Sequence, residues 1–352
     1  MELLKLGWNA DCEREFAPYR AKGWVPARVA VEDKHFFRVW TVEAELSAQV
    51  TGKAIHEARR DSTKLPKVGD WVAVKLLPGE EKAVIQAILP RRTQLSRKLT
   101  GRDVTEQILA TNMDTVFIVV AADASFNGAR LERMLVMAHD SGARPLVVLN
   151  KIDLCMDLAA QVAEVERLAR QVPVRPVCAR TGRGVKGLAR EIRAGETVVF
   201  IGTSGVGKSS LINRLYGEEL QATVEVRETD AKGRHTTSWR EMIFLPQGGV
   251  VIDTPGMREF QVWMAGGGAR ETFPEIEALA LRCHFRDCTH TQEKSCAVLE
   301  ALAAGGLDRE RYGNFLKLQQ ELRLLGEAEK QAGWQQRRKS DRVAHRIFNK
   351  GG

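Results

Sequence analysis

The segment 202–209 has the residue types and spacing of a phosphate-binding loop, because it matches the pattern G-x-x-x-x-G-K-S/T in full. It lies between an apolar segment that predicts a strand and a segment that predicts a helix, which is the context this pattern requires. Glycines let backbone N–H groups turn toward phosphates, and a helix N-terminus adds the positive end of its dipole. We expect Lys208 to reach the β- and γ-phosphates of a nucleotide and the Ser209 hydroxyl to bind Mg²⁺. The predicted nucleotide-binding residues of this loop are Gly202, Thr203, Ser204, Gly205, Val206, Gly207, Lys208, Ser209 and Ser210.

A second motif, of the form D-x-x-G, begins at Asp253 and ends at Gly256, after the apolar segment GVVI. An Asp at the end of a parallel strand suits a role at Mg²⁺, either as a ligand or through a bound water. The N–H of Gly256 is placed to donate to the γ-phosphate. Such a turn is common by itself, and it is the nearby phosphate-binding loop that favours the nucleotide interpretation.

A third motif also ends an apolar segment and has the residue types that recognise guanine. A carboxylate accepts from both the N1–H and the exocyclic amine of guanine, whereas adenine reverses this pattern and leaves buried groups unpaired. Asp153 is the candidate for that carboxylate, Asn150 for bracing neighbouring loops, and the stem of Lys151 for covering the base. The motif consists of Asn150, Lys151, Ile152 and Asp153. Together with the two phosphate motifs it indicates GTP rather than ATP.

A fourth segment, Cys178, Ala179 and Arg180, lies where GTPases have a Ser-Ala-Lys-like loop whose backbone supports the guanine oxygen. Cys in place of Ser departs from that pattern. The resulting order is base-reading loop, supporting loop, phosphate-binding loop and D-x-x-G, whereas conventional GTPases begin with the phosphate-binding loop. Circular permutation keeps such a site together in space while it moves the chain termini, and α/β folds accept it at surface loops.

Three of the six cysteines cluster with a histidine near the C-terminus, at Cys283, Cys288, His290 and Cys296. Three thiolates and one imidazole suit a closed tetrahedral zinc site of the structural kind, with no position left for catalysis. The alternative is a set of free buried cysteines. A reducing environment favours metal binding over disulfides for such a cluster.

The pattern of predicted strands and helices along the chain indicates three domains. Its 352 residues are enough to form two or three hydrophobic cores. Short β segments over 24–90 predict a small barrel, OB-like by preference, although propensity alone leaves an SH3-like barrel open. Apolar strands at 114–122, 144–150, 197–202 and 249–254 alternate with amphipathic helices, which predicts a mostly parallel sheet covered on both faces. The predicted fold is an α/β P-loop GTPase domain, circularly permuted, flanked by an N-terminal OB-like β-barrel and a C-terminal zinc-binding, mainly helical domain. The expected boundaries are 1–95, 96–262 and 263–352.

The charge of the chain favours a polyanionic partner. The net charge is +8 and the isoelectric point is near 9.2. Basic residues concentrate in 91–102 and in the tail 331–352, where six Lys or Arg residues stand against one acid. Nucleic acid contact is the favoured interpretation, and a solvated basic surface is the alternative. No apolar run approaches a membrane span and the N-terminus does not look like a secretory signal, so we expect a cytoplasmic location and no membrane partner.

Over nearly its whole length the sequence resembles the RsgA (YjeQ/YloQ) family of circularly permuted, ribosome-associated GTPases, which carry a barrel, a permuted GTPase domain and a zinc domain in this order. The resemblance implies late maturation of the small ribosomal subunit, with GTP hydrolysis stimulated by that subunit. The implied partners are the small subunit with its rRNA and GTP or GDP. The implied cofactors are one structural Zn²⁺ and Mg²⁺ bound with GTP, and we expect a monomer.

The segment 233–237 resembles the first switch loop of that family, so either Thr236 or Thr237 should complete the Mg²⁺ shell, and the sequence does not distinguish them. Met257 stands where many GTPases have a Gln that orients the attacking water, and a thioether cannot do so. Either His235 takes this role or the ribosome completes the site; an exposed loop histidine is the alternative for His235. The catalytic candidates are Lys208, Asp253 and His235.

Two rival hypotheses remain at this point. One is an RNA-binding scaffold with a degenerate nucleotide site, which the intact Lys208, Ser209, Asp153 and Asp253 disfavour. The other is a GTPase that acts on a different polyanion or on a protein partner.

Overall fold

The computed structural model describes residues 2–33, 36–58, 61–99, 105–217, 240–253 and 267–327. The strands are β1 (Val25–Asp33), β2 (Phe36–Trp40), β3 (Glu45–Val50), β4 (Trp71–Leu76), β5 (Lys82–Ile88), β6 (Gln94–Leu99), β7 (Thr105–Thr111), β8 (Thr115–Ala121), β9 (Arg144–Asn150), β10 (Val174–Pro176), β11 (Thr197–Ile201), β12 (Arg240–Phe244) and β13 (Val250–Asp253). The helices are α1 (Ala10–Arg20), α2 (Gly52–Ala58), α3 (Gly128–Asp140), α4 (Leu158–Ala169), α5 (Val185–Ala189), α6 (Lys208–Tyr216), α7 (Gly268–Thr272), α8 (Pro274–Ala280), α9 (Ala297–Ala303) and α10, 309–327.

The central part of the molecule is a parallel sheet with the strand order β10-β9-β8-β11-β13, and β12 is added antiparallel to β13. Every residue of β8 and β11 is buried, which explains their unbroken apolar sequences. Successive side chains of a strand point to opposite faces. Accordingly, Val116 and Ile118 pack in the core that contains residues of α3 and α4, whereas Phe117 and Val119 pack with α5 and α6. The four strands predicted in this region are confirmed.

The N-terminal strands form a closed five-stranded barrel with the order β1-β2-β3-β5-β4, closed by pairing of β1 with β4. Strand β3 pairs in parallel with β5, and α2 lies in the connection between β3 and β4. This is the topology of an OB fold, and it decides between the two barrels that propensity left open. The small side chains Ala27, Ala48 and Ala83 and the branched Val29 and Val39 fill its interior.

The barrel is joined to the parallel sheet by backbone pairing, because Val31 and Glu32 of β1 pair antiparallel with β12. Beside this joint, the buried Arg28 guanidinium donates to the carbonyl oxygens of Leu6, Gly69 (3.3 Å) and Asn112 (3.0 Å). Burial lowers the pKa of Arg28 to about 10. One side chain therefore connects the N-terminal segment, the barrel and the strand region that precedes β8.

The C-terminal helices pack on α3 of the parallel-sheet region. Phe273 and Phe315 contact each other edge to face at 5.6 Å in the core that includes α3. Arg311 of α10 is 1% exposed and donates to Glu132 of α3 at 2.6 Å, and it also pairs with Glu275 of α8. The two regions are therefore held by apolar burial around a buried ion pair.

Several elements were not foreseen from the sequence, namely α1, α2 and the hairpin of β6 and β7. This hairpin is a separate two-stranded sheet, and the domain boundary predicted at 95–96 falls inside β6. The domain boundaries stay predictions. Within the described part of the chain, no helix combines the length and apolar composition needed to cross a bilayer.

Candidate nucleotide site and metal centre

The predicted nucleotide motifs lie at the carboxyl ends of parallel strands of one sheet. Asn150 is the last residue of β9, the phosphate-binding loop follows β11, and Asp253 is the last residue of β13. Phe200 of β11 lies opposite Asp253, which sets the start of the phosphate-binding loop beside that carboxylate. The supporting loop at Cys178 follows β10 on the far side of β9. Ligands of open α/β sheets bind at this edge, and the described parts of the permuted motifs all lie along it.

The phosphate-binding loop has the backbone that its glycines allow. Gly205 and Gly207 have φ values of 80° and 95°, in the left-handed region that favours glycine, and α6 begins at Lys208. The Lys208 ammonium donates to the carbonyl oxygens of Gly202 at 2.8 Å and Thr203 at 3.1 Å. Burial lowers the pKa of Lys208 to about 8, while the negative charge of Asp253 opposes this shift. The buried lysine is thus held against the backbone of its own loop.

Asn150 connects three of the motifs. Its amide Nδ2 donates to the carbonyl oxygen of Val206 at 2.8 Å, and its Oδ1 accepts from the backbone N–H of Ala179 at 3.0 Å. It is 1% exposed. The bracing role predicted for Asn150 therefore has a geometric basis in this structure.

Asp153 has partners on both carboxylate oxygens. Oδ1 accepts from the Cys178 thiol at 3.0 Å, and Oδ2 accepts from Arg180 Nε at 3.0 Å and Nη2 at 2.7 Å. The hydrogen bonds from Cys178 and then Arg180 hold the pKa of Asp153 below its ordinary value. Cys178 thus contributes its side chain to this site, in addition to the backbone role expected of its loop.

Two side chains near the base-reading loop were missed by sequence reasoning. Asp123, just beyond the end of β8, pairs with Lys151 at 3.1 Å. Arg214 of α6 donates to the carbonyl oxygens of Ala179 at 2.9 Å and Arg180 at 2.7 Å. The strand-end position of Asp123 is a signal that could have found it, whereas a single Arg on a helix carries no comparable signal.

Some of the remaining predicted site residues lie within the described part of the chain and others lie outside it. Ser209 and Ser210 are half-buried in the first turn of α6, and Asp253 is 6% exposed. The residues His235, Thr236, Thr237 and Gly256 lie outside the described ranges. Their roles stay predictions.

The four predicted metal ligands lie together. One ligand atom from each of Cys283, Cys288, His290 and Cys296 lies within 4.8 Å of all the others. His290 Nδ1 is 3.5 Å from the Sγ atoms of both Cys283 and Cys296, which are 3.8 Å from each other. Tyr312 of α10 donates to the carbonyl oxygen of His290 at 2.6 Å and joins this loop to α10. This group could hold a metal ion.

A parallel sheet with nucleotide motifs at its carboxyl edge, in permuted chain order and preceded by a five-stranded barrel, defines the class of circularly permuted GTPases. Residues 88–263 match the family model described as RsgA GTPase. The small ribosomal subunit biogenesis GTPase RsgA of Opitutus terrae is 46% identical, over 91% of this chain and 90% of its own.

Two solved structures have the same fold. The structure of YjeQ from Thermotoga maritima has a TM-score of 0.61 and 26% identity, and covers 86% of this chain and 99% of its own. That of YloQ, described as a circularly permuted GTPase, has a TM-score of 0.58 and 22% identity, and covers 88% and 96%. The chain belongs to the RsgA family of GTP-hydrolysing enzymes.

Proposed function

We propose that the chain hydrolyses GTP at the carboxyl edge of its parallel sheet, with Asp153 reading guanine and Lys208 binding the β- and γ-phosphates. Ser209 and Asp253 would hold Mg²⁺, which neutralises negative charge on the phosphates when it is bound with the nucleotide. The support is that three motifs separated in the chain are joined through Asn150, and that Asp253 ends the strand beside the phosphate-binding loop. His235 remains our candidate for orienting the attacking water.

We further propose that the small ribosomal subunit and its rRNA are the partners, and that the chain assists late maturation of that subunit in the cytoplasm as a monomer. The observation that carries this proposal is family membership over nine-tenths of the chain, since the relative is named for small-subunit biogenesis. The net charge of +8 is consistent with a partner rich in phosphate. The three domains at 1–95, 96–262 and 263–352 are part of the proposal.

We propose zinc as the metal of the Cys283 cluster. Zn–S bonds of about 2.3 Å and Zn–N bonds of about 2.0–2.1 Å in a tetrahedron put ligand atoms roughly 3.5–3.8 Å apart. The Sγ–Sγ distance of 3.8 Å and the two Sγ–Nδ1 distances of 3.5 Å fit these values. The ion would be structural, because all four positions are filled by protein atoms.

The bound nucleotide would control binding to the small ribosomal subunit through the covalent connection between the switch segments and the metal cluster. We take 227–240 as the first switch segment and 253–262 as the second, and in the permuted order the second leads along the chain to α7 and the metal cluster. GTP with Mg²⁺ would order both segments and hydrolysis would release them. Apart from Arg240 and Asp253, these segments lie outside the described residues.

Co-sedimentation with small ribosomal subunits tests this function. Binding should be strong with a non-hydrolysable GTP analogue, weaker with GDP, and reduced by rising salt in both states. A Lys208→Ala protein should lose the difference between the two nucleotides. Equal binding with analogue and GDP would contradict nucleotide control, and no binding at low salt would favour a different partner.

A further inference from the structure

The carboxylate that we assign to guanine recognition already has donors on both oxygens. Asp153 Oδ2 accepts two N–H groups from Arg180, and Oδ1 accepts the thiol of Cys178. Guanine needs the same two oxygens, one for N1–H and one for its exocyclic amine. A base can therefore bind Asp153 fully only when at least one of these donors gives way.

The two donors differ in how easily they can leave. Cys178 is 1% exposed, so its bond lies on the protein side of the carboxylate. The Arg180 side chain is 77% exposed and the Asp153 side chain is 18% exposed, so the guanidinium lies on the solvent side of the carboxylate. A base arrives from solvent, and it meets Arg180 first.

The backbone of the loop is fixed independently of this ion pair. Arg214 donates to the carbonyl oxygens of Ala179 and Arg180, and Asn150 accepts the N–H of Ala179. Displacing Arg180 from Asp153 therefore requires rotation of an exposed side chain and no change in the loop. Such a rotation occurs in picoseconds to nanoseconds in exposed residues, which makes it compatible with rapid nucleotide entry.

We propose that Arg180 covers the base-reading carboxylate by pairing with Asp153, and that guanine binds by displacing it. The arginine is thus a competitor of the base, and it lowers the affinity of the site for guanine nucleotides. This inference rests on the assignment of Asp153 as the guanine-reading residue. It assigns Arg180 a gating role that differs from the backbone support expected of its loop.

The test measures GDP affinity and association rate by fluorescence for the wild type, Arg180→Ala and Arg180→Lys. An exposed ion pair changes an equilibrium by roughly two- to fivefold, so Arg180→Ala should bind GDP tighter by about that factor. The GDP affinity of Arg180→Lys should lie between those of the wild type and Arg180→Ala. A lysine ammonium lacks the planar pair of N–H donors with which the guanidinium makes two bonds to one oxygen. The difference from wild type should shrink as salt rises, because the exposed pair is screened.

Arg183→Ala is the matched control, because Arg183 is exposed in the same loop and its removal takes away the same charge. It should weaken GDP binding slightly or leave it unchanged, through loss of attraction to phosphate. In an Asp153→Ala background, Arg180→Ala should have no further effect, because the group for which it competes is absent.

The outcomes separate this inference from the function on which it rests. Unchanged GDP binding by Arg180→Ala, with Asp153→Ala still impaired, would overturn the gating role. Weaker GDP binding would also overturn it and would indicate that Arg180 contacts the nucleotide. Undiminished GDP binding by Asp153→Ala would instead contradict the assignment of the guanine-reading residue. Thermal unfolding of each variant shows whether a change in binding reflects loss of folded protein.

Discussion

The amide of Asn150 donates to the carbonyl oxygen of Val206 at 2.8 Å, although the two residues are 56 positions apart. Asn150 belongs to the base-reading motif and Val206 to the phosphate-binding loop that follows it in the chain. This bond joins the two halves of the permuted site. It requires close approach of the loop backbone, and a Cβ atom at Gly207 would lie 2.4 Å from Nδ2 of Asn150.

The first prediction concerns that approach. Gly207→Ala should displace the Asn150 amide and strain a residue with φ of 95°, which would cost about 1–3 kcal/mol and lower GDP affinity by about tenfold or more. Isothermal titration measures the affinity. Gly217→Ala is the control, since Gly217 has φ of 93° at the other end of α6 and open space around its Cβ position. Equal losses of GDP affinity in both variants would contradict a specific role for the contact.

The second prediction concerns pH. The charged form of Lys208 binds phosphate, so bound nucleotide should raise the pKa of Lys208 above the value of about 8 that burial gives it. Below pH 8 the lysine is protonated in both states, and its contribution to GDP affinity should not change with pH. Above pH 8 binding must take up a proton, so affinity should fall by at most about tenfold per pH unit.

The Lys208→Ala protein provides the baseline for this pH series, because ionisation of the guanine base is common to both proteins. The ratio of wild-type to variant affinity should be constant below pH 8 and decrease above it. A ratio that rises or stays constant up to pH 9.5 would contradict a titrating Lys208.

The third prediction concerns the ion pair between α3 and α10. Glu132 and Arg311 are each 1% exposed, and removing one partner leaves a buried charge unpaired. Arg311→Met should lower the free energy of unfolding by about 3–5 kcal/mol, as measured by denaturant titration. Desolvation raises the pKa of Glu132, and loss of the Arg311 charge should raise it further.

Arg133→Met is the control, because Arg133 pairs with Glu321 between the same two helices but both side chains are partly exposed, at 29% and 44%. We expect a loss of about 1 kcal/mol or less. Similar losses of unfolding free energy for Arg311→Met and Arg133→Met would show that burial does not make the pair of Arg311 with Glu132 more important for stability.

The fourth prediction concerns metal. Native mass spectrometry should find one zinc ion per chain, and Cys296→Ser should lose it, whereas Cys155→Ser should keep it. A zinc chelator should melt the region 283–303 and lower the unfolding temperature, because metal binding is coupled to local folding. GDP binding should largely persist. Unchanged thermal unfolding after verified removal of the ion would contradict a structural role.

The nucleotide motifs were predictable because each one is a short segment with its own required context. An apolar strand, a turn of specified residues and a helix are local features, and β11, the glycines and α6 appear where the sequence indicates them. The cluster at Cys283 was equally local, with all four ligands within 14 residues. The carboxyl ends of parallel strands lie at the same edge of a sheet, so motifs predicted at strand ends could be expected at one edge whatever their order in the chain.

Other features depended on contacts between distant residues and gave no local signal. The bonds of Arg28 to Leu6 and Asn112 span 22 and 84 positions, and the pairing of β1 with β12 links segments more than 200 positions apart. The ion pair of Arg180 with Asp153 spans 27 positions and arises only because β10 lies beside β9. Sequence reasoning could name Arg180 as a loop residue, but only the fold shows which group it contacts.

We propose that Asp153, a residue upstream of the phosphate-binding loop, reads guanine, and a change of base tests this directly. Xanthine has an oxygen where guanine has its exocyclic amine, so an Asn at position 153 can donate to xanthine where Asp153 accepts from guanine. Steady-state hydrolysis of GTP and XTP should be compared for the wild type and Asp153→Asn. The account predicts that the variant loses about a hundredfold or more in kcat/KM for GTP and hydrolyses XTP at least as well as GTP. Full GTP hydrolysis by Asp153→Asn, with no gain for XTP, would contradict it.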